Sequence, residues 1–471
     1  MAASRRQRLG CSQFHQQLKM ERRAFLKAGV LGTAGLSLAN VLQAEAAEKA
    51  NPKLTRNNAK SGNRSVIILW MRGGPSQHET WDPKPNAPAE YRGAFGSMST
   101  RVPGLQICDL LPLSARCMDK WSVIRSLHHT NAGHSAGDQI LFTGYPPPKS
   151  LQPEGPGNIR PSCGSIVAKQ LQHKNPKLPA YVMIPRMVPG TGSAYLGPAY
   201  NPFETISDPA SGGSFKVRNF QLPSGVNYDR VGSRKQLLKD MDRLRRTADN
   251  SGQMNAMDQF QQQAWEIVTG PEARNAFDLD AEPQHVRKRY GFLPPFKAPT
   301  PDRCGVPAWS QRFVLARRLI EAGVRLVTVD CRWWDTHVEG VDSMRRGFLP
   351  RWDKAYSALI EDLDERGLLE STMVIAWGEF GRTPKINQKN GRDHYPNVFS
   401  AALAGGGIQG GRAIGQSDRL GAFPKSNAKK PQDVLATMYR HLGVDTHVHY
   451  LDPAGRPIPV LTDGKPVDEL F

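Results

Sequence analysis

The sequence predicts an α/β protein, with a mainly parallel central sheet, helices on both faces and a loop-and-helix insertion. Three observations predict it. Short β-branched apolar runs alternate with longer helical stretches, most clearly after residue 310. Glycines close several of these runs and helices. Four of the runs lead directly into polar clusters, as strands of open α/β sheets lead into ligand-binding loops.

Taken in order, the chain opens with a leader. Residues 21–27 read Glu-Arg-Arg-Ala-Phe-Leu-Lys and precede a small-residue apolar stretch from Ala28 to Leu42. This is the pattern of a twin-arginine export signal, and Ala44-Glu45-Ala46 offers the cleavage site. The expectation is a leader over 1–46, a polar linker over 47–63, and a periplasmic or otherwise exported mature chain. The start is either Met1 or Met20. Ser65–Trp70 then reads as a buried strand ended by Gly73-Gly74-Pro75, and Trp121 to Arg125 as a second strand. Ser135 to Phe142 reads as a helix, with Ser135 and Asp138 in capping-box spacing. Pro179 to Ile184 is a strand, residues 186–232 are loop-rich, and 234–268 form a long charged helix or helix pair. Gln311 to Ala322 is helical and Arg325 to Val329 a strand. Arg351 to Arg366 is an amphipathic helix stopped by Gly367. Thr372–Trp377 and Val398 to Ala404 are strands, and Asp433 to Leu442 is a helix stopped by Gly443. The simplest organisation is one domain over 64–471 with an insertion at about 145–310.

Charge narrows the partners. Of a formal net charge of +19, the leader carries seven Lys/Arg and two Asp/Glu, so +14 remains on the exported part. Outside the cytoplasm that favours anionic partners, such as an acidic or sulfated polysaccharide or an anionic ester, over nucleic acid. No second apolar run is long enough to span a bilayer once the leader is removed. Five cysteines remain (Cys108, Cys117, Cys163, Cys304, Cys331), without C-x-x-C spacing, so a thiolate zinc site is not expected. An odd, scattered set leaves room for one or two disulfides. With no Gly-x-Gly-x-x-Gly loop and no clustered thiols, redox chemistry ranks low.

The chemistry concentrates in the four strand-exit clusters. Six of the twelve histidines lie there: His78, His128, His129, His134, His337 and His394. Asp335-Thr-His337 turns an acid and an imidazole to one side, Asp393-His394 adds a second mixed pair, and Glu379 adds a further carboxylate. Imidazole with carboxylate suits a divalent metal: zinc first, with manganese, iron or calcium as alternatives.

These residues resemble the DUF1501 family of exported bacterial proteins, placed in the alkaline phosphatase/sulfatase superfamily. The resemblance runs from Val66 to Phe471. It rests on Gly73-Gly-Pro-Ser-Gln77, Asn131-Ala-Gly-His-Ser135, Trp334-Asp-Thr-His337, Gly378-Glu-Phe-Gly-Arg-Thr-Pro384 and Asp393-His-Tyr-Pro396. It implies an alkaline phosphatase-like fold. Asp335 and His337 resemble that superfamily's Asp and His ligand pair, and His394 its late His. Glu379-Phe380-Gly381 stands where Asp-His-Gly is expected, with Phe380 replacing the His. Two departures accompany it. Met71-Arg72-Gly73-Gly74 occupies the place of the first acidic ligands, which His78 or Asp82 would have to replace. The sulfatase nucleophile position falls on His134, so no formylglycine forms; Ser135 is one residue away.

The expected function is an exported metal-dependent hydrolase of phosphate or sulfate esters. His134 and Ser135 are the catalytic candidates. Arg72 and Arg382 are candidates for neutralising the ester. Asp335, His337, Glu379, Asp393, His394 and His78 are candidates for the metal. The alternative is a non-catalytic exported protein that keeps the fold and binds metal or anionic glycan.

Overall fold

In the computed structural model, alternating side chains of a single sheet feed two separate hydrophobic cores. Along β1 (Ser65–Trp70), Ile67 and Leu69 enter one core, while Val66, Ile68 and Trp70 enter the other, as the two-residue period of a strand requires. The structure describes residues 64–148, 158–175, 177–212, 215–217, 270–300 and 304–471, and Asn63–Phe471 form one compact unit. The leader over 1–46, the linker over 47–63 and the helix expected over 234–268 lie outside the described residues.

The sheet has eight strands. After β1 come β2 (Trp121–Leu127), β3 (Tyr181–Ile184), β4 (Phe203–Glu204), β5 (Leu326–Asp330), β6 (Thr372–Trp377), β7 (Phe399–Ala404) and β8 (Ala413–Ile414). Their order across the sheet is β8-β2-β7-β6-β1-β5-β3-β4. All run parallel except β7, which is antiparallel to both β2 and β6. The mainly parallel α/β prediction therefore holds, and both β1 and β6 have the predicted bounds.

Helices cover both faces. One face carries α3 (Ser310–Glu321) and α4 (Leu349–Glu365), whose Phe313 and Trp352 join the core of Ile67, Val327 and Val374. The other carries α1 (His134–Thr143), α2 (Cys163–Leu171) and α5 (Pro431–Leu442), packed on Ile68, Met373 and Ile375. Gly443 ends α5 in the left-handed conformation, φ 70°, as its sequence position suggested. The capping box expected at Ser135 and Asp138 is absent. Helix α1 starts one residue earlier, on an N-cap Gly133 without a side-chain cap, which puts Ser135 inside the first turn, and Asp138 enters a buried ion pair with Arg72. The five cysteines are all unpaired, so no disulfide links them. Among the described residues, no helix is long and apolar enough to cross a membrane.

One buried imidazole ties a helix to the sheet. His441 on α5 donates Nε2–H to the Ser65 carbonyl at 3.0 Å, and burial lowers its pKa to about 4. The folded pKa lies below the unfolded one near 6.5. Its contribution is therefore complete above pH 6.5 and is lost as pH falls toward 4. His441→Gln is expected to remove about one proton from the pH dependence of urea-unfolding stability over that window. An unchanged slope would contradict this role.

Candidate metal centre at the carboxyl edge of the sheet

Strands β1, β5 and β6 lie side by side, so their C-terminal exits deliver Arg72-Gly73, Asp335 and Glu379 to one edge. Strand β2 ends on the same edge, and the loop after it leads to His134 at the start of α1. Between β6 and the reversed β7, a short two-stranded piece pairs Gly381–Arg382 with His394–Tyr395. This holds His394 over the edge.

Three imidazoles converge here on Asp335. His134 Nε2 is 3.3 Å from Asp335 Oδ2, while His337 Nε2 and His394 Nε2 are each 3.0 Å from Oδ1. In each ring the other nitrogen is fixed by an acceptor. His134 Nδ1 lies 2.6 Å from Glu379 Oε1, His337 Nδ1 2.7 Å from Asp393 Oδ1, and His394 Nδ1 2.7 Å from the Ala132 carbonyl. An acceptor at Nδ1 fixes the tautomer with its proton there and leaves Nε2 as a lone pair, as second-shell partners do for metal-ligating histidines. His337 Nε2 and His394 Nε2 then face each other at 3.0 Å across the same carboxylate oxygen. Lone pairs that close repel unless a cation or added protons lie between them. His134, His394 and a carboxylate oxygen of Asp335 lie close enough together to hold one ion.

Without metal, protons take up this strain. Burial disfavours the His134 imidazolium, but the bonds to Asp335 and Glu379 outweigh it and raise its pKa to about 9. Asp335 is held far below the ordinary carboxylate range. Burial opposes this, and the bonds from His134, His337 and His394 and the charge of Arg382 override it.

Around this group, Phe380 stacks under His394 with ring centroids 4.4 Å apart and lies 5.2 Å from His134. An apolar floor stands where the resemblance implied a ligand histidine. Glu379 is fully buried and also accepts the Gly73 N–H at 2.8 Å; its second oxygen, Oε2, has no partner among the described residues. His129, whose ring nitrogen bonds the Glu379 carbonyl, has its pKa lowered to about 4 by burial. It supports the site as a neutral residue.

The structure gives Arg382 a role other than the expected one. Arg382 is fully buried. Its guanidinium bonds the carbonyls of Gly73, Gly74 and Arg392, and Asp335 Oδ1 at 2.5 Å. It therefore braces the site and has no donor directed outward to an ester. Arg72 is nearly buried, bonds Asp138 Oδ2 at 3.0 Å and stacks on Trp333. Ser135 is buried in the first turn of α1. His78 is held apart from the imidazole cluster. Its Nε2 bonds the Leu420 carbonyl at 2.9 Å, and burial lowers its pKa to about 4. Asp393 acts through His337, half exposed at the rim.

Two contributors to the site were not among the expected site residues. Asp138 is fully buried, and burial together with the Glu379 charge pushes its pKa well up; its Oδ1 has no partner among the described residues. Its position one helical turn after His134 was the available signal. Arg392 bonds Glu79 and the carbonyls of Thr383, Pro384 and Tyr91. It fixes the loop that ends in Asp393-His394, and nothing in the local sequence announces this.

Fold and site together define an α/β protein with an imidazole–carboxylate group able to hold a cation at the carboxyl edge of a mainly parallel sheet. The chain belongs to the family described as "Protein of unknown function (DUF1501)", which matches residues 63–471. No curated protein matches it. Similar solved structures include the lipoteichoic acid synthase LtaP from Listeria monocytogenes, at 11% identity, covering 85% of this chain and 75% of that one, TM-score 0.35. The PsFucS1 sulfatase from Pseudoalteromonas sp. is 13% identical over 83% and 70%, TM-score 0.36. The phosphonate monoester hydrolase SpPMH from Silicibacter pomeroyi is 10% identical over 86% and 75%, TM-score 0.36. Similarity at this level carries no argument about the chemistry of this chain, which rests on its own side chains.

Proposed function

We propose that this chain is an exported, metal-dependent hydrolase of phosphate or sulfate esters. The observation that carries the reading is the convergence of three Nε2 atoms on Asp335, each ring fixed from behind. Export rests on Arg22-Arg23 and the apolar stretch after them. His134, Asp335 and His394 would hold a divalent cation, zinc first among the candidates, which supplies Lewis acidity toward an ester oxygen when bound.

The rest falls to the chain itself. Glu379 and the Ala132 carbonyl keep the His134 and His394 rings oriented with Nε2 inward. Phe380 keeps water from beneath them. His337 is the most exposed of the three rings, and Asp393 holds its Nδ1 proton. We assign it, in its imidazolium form, the transfer of the Nε2 proton to the departing oxygen, which returns Nε2 to a lone pair.

Binding of a cation must displace the proton that His134 retains to about pH 9. Metal affinity is therefore expected to rise roughly tenfold per pH unit from pH 7 to about 9 and then flatten. Competition with a chelator of known affinity measures it, and a pH-independent affinity would exclude His134 as a ligand. The test of the function is elemental analysis of protein purified from the periplasm without chelator, followed by an ester screen with the metal found. Folded protein that neither carries nor takes up metal would sink the hydrolase.

A second reading, a binding protein without turnover, is favoured by one observation: the guanidinium of Arg382 is spent on carbonyls and a carboxylate within the protein. Stoichiometric metal with no turnover on phosphate or sulfate esters would support it.

A further inference from the structure

Among the described residues, tryptophan is buried with one exception. Every other tryptophan among the described residues is fully buried, whereas Trp333 is partly exposed. It is also the tryptophan at the metal centre. Its ring stands edge-on to His134, with centroids 5.7 Å apart, and Arg72 stacks on it at 4.2 Å. Arg332 lies 5.3 Å from the ring centre. The indole N–H has no partner among the described residues. Leaving a large apolar ring partly exposed sacrifices burial that its neighbour Trp334 obtains in full.

The surroundings select what this ring can recognise. Arg72 is held by Asp138 and Arg332 by Asp330, so neither guanidinium is free to swing away. Each is held through Nε alone, so the Nη groups beside the indole remain charged donors and disfavour a cationic ligand such as a quaternary ammonium group. They favour a ligand that carries negative charge. A free indole N–H next to an apolar ring suits a molecule with hydroxyl acceptors beside a C–H face, and pyranose sugars combine the two. An aliphatic ester offers no hydroxyl acceptor, and inorganic anions offer no apolar face.

Building on the hydrolase reading, we propose that Trp333 is the specificity-determining residue of the site and contacts the sugar ring of an anionic pyranoside, the ester group lying toward His134 and Asp335. The class of substrate is thus a phosphorylated or sulfated monosaccharide unit. Which of the two anions it carries is left to the measurement.

The test uses the mature protein loaded with its metal and labelled with nitrogen-15 at tryptophan. The Trp333 indole resonance is identified by its loss in Trp333→Phe. Glucose 6-phosphate and glucose 6-sulfate are titrated in parallel with inorganic phosphate, inorganic sulfate and hexyl phosphate. The proposal expects one of the two sugar esters to bind roughly tenfold more tightly than its inorganic anion and than hexyl phosphate. It expects this ester to shift the Trp333 resonance, and Trp333→Ala to lose the sugar increment while keeping the affinity for the inorganic anion. Inorganic anion binding with no sugar increment, or an increment that survives in Trp333→Ala, overturns the platform and leaves the metal site standing. No binding of any of these anions to the metal-loaded protein removes both readings together.

Discussion

Asp335→Asn is expected to abolish metal retention and lower ester hydrolysis by about a thousandfold. The substitution keeps the shape and removes the charge on which everything else converges. Three imidazole nitrogens and the Arg382 guanidinium point at this carboxylate. An amide presents an N–H₂ to some of those donors and cannot neutralise a cation. Arg382 keeps its bonds to the Gly73, Gly74 and Arg392 carbonyls, so the fold should survive with reduced stability. Losing one partner of a buried charge pair costs about 3–5 kcal/mol, and the remaining bonds of Arg382 bring the loss to the low end of that range. Elemental analysis, circular dichroism and turnover on the same preparation separate the effects. A folded Asp335→Asn protein with full metal content would show that the cation sits elsewhere.

The second large effect is expected from one methyl group. Gly73 adopts φ +107°, and a Cβ there would lie 2.4 Å from the Trp334 nitrogen and 2.7 Å from the Asp335 nitrogen. These are backbone atoms, so relief requires the loop after β5 to move. The same glycine donates its N–H to Glu379 and accepts from Arg382. Gly73→Ala should therefore destabilise the protein by about 3 kcal/mol or more, combining backbone strain with a forced shift. It should also weaken metal binding, because Asp335 and Glu379 are displaced together. Gly104→Ala is the control: its φ of +82° brings similar strain, but nothing lies within 4 Å of the added atom. Urea unfolding that gives the two variants equal losses would refute the argument from crowding.

Much of the sheet was legible in the sequence because its strands are continuous apolar runs, buried on both faces and ended by glycine. Ser65–Trp70 and Thr372–Trp377 need no tertiary information to be recognised. The imidazole concentration was legible too, since strand exits of a parallel sheet share an edge. The partner of each polar group was not. Arg382 looked like a free cation, yet its guanidinium is consumed by carbonyls some three hundred residues away in sequence. Asp138 matched the spacing of a helix cap, and a buried arginine across the sheet edge claimed it. His78 belonged to a promising cluster, but its ring turns to the Leu420 carbonyl. Such contacts depend on which loops lie over one another, and no local pattern records that.

The single reversed strand has a topological consequence. A parallel neighbour after β6 would require the chain to cross beneath the sheet before returning. Because β7 runs the other way, residues 378–398 enter and leave on the same edge. The stretch bearing Glu379, Asp393 and His394 is thus a closed excursion above the sheet. Its middle, around Lys385–Asn390, could lengthen, shorten or be exchanged between relatives without rethreading a strand. A lineage could retune what approaches the centre by editing that excursion alone, with both cores beneath left as they are.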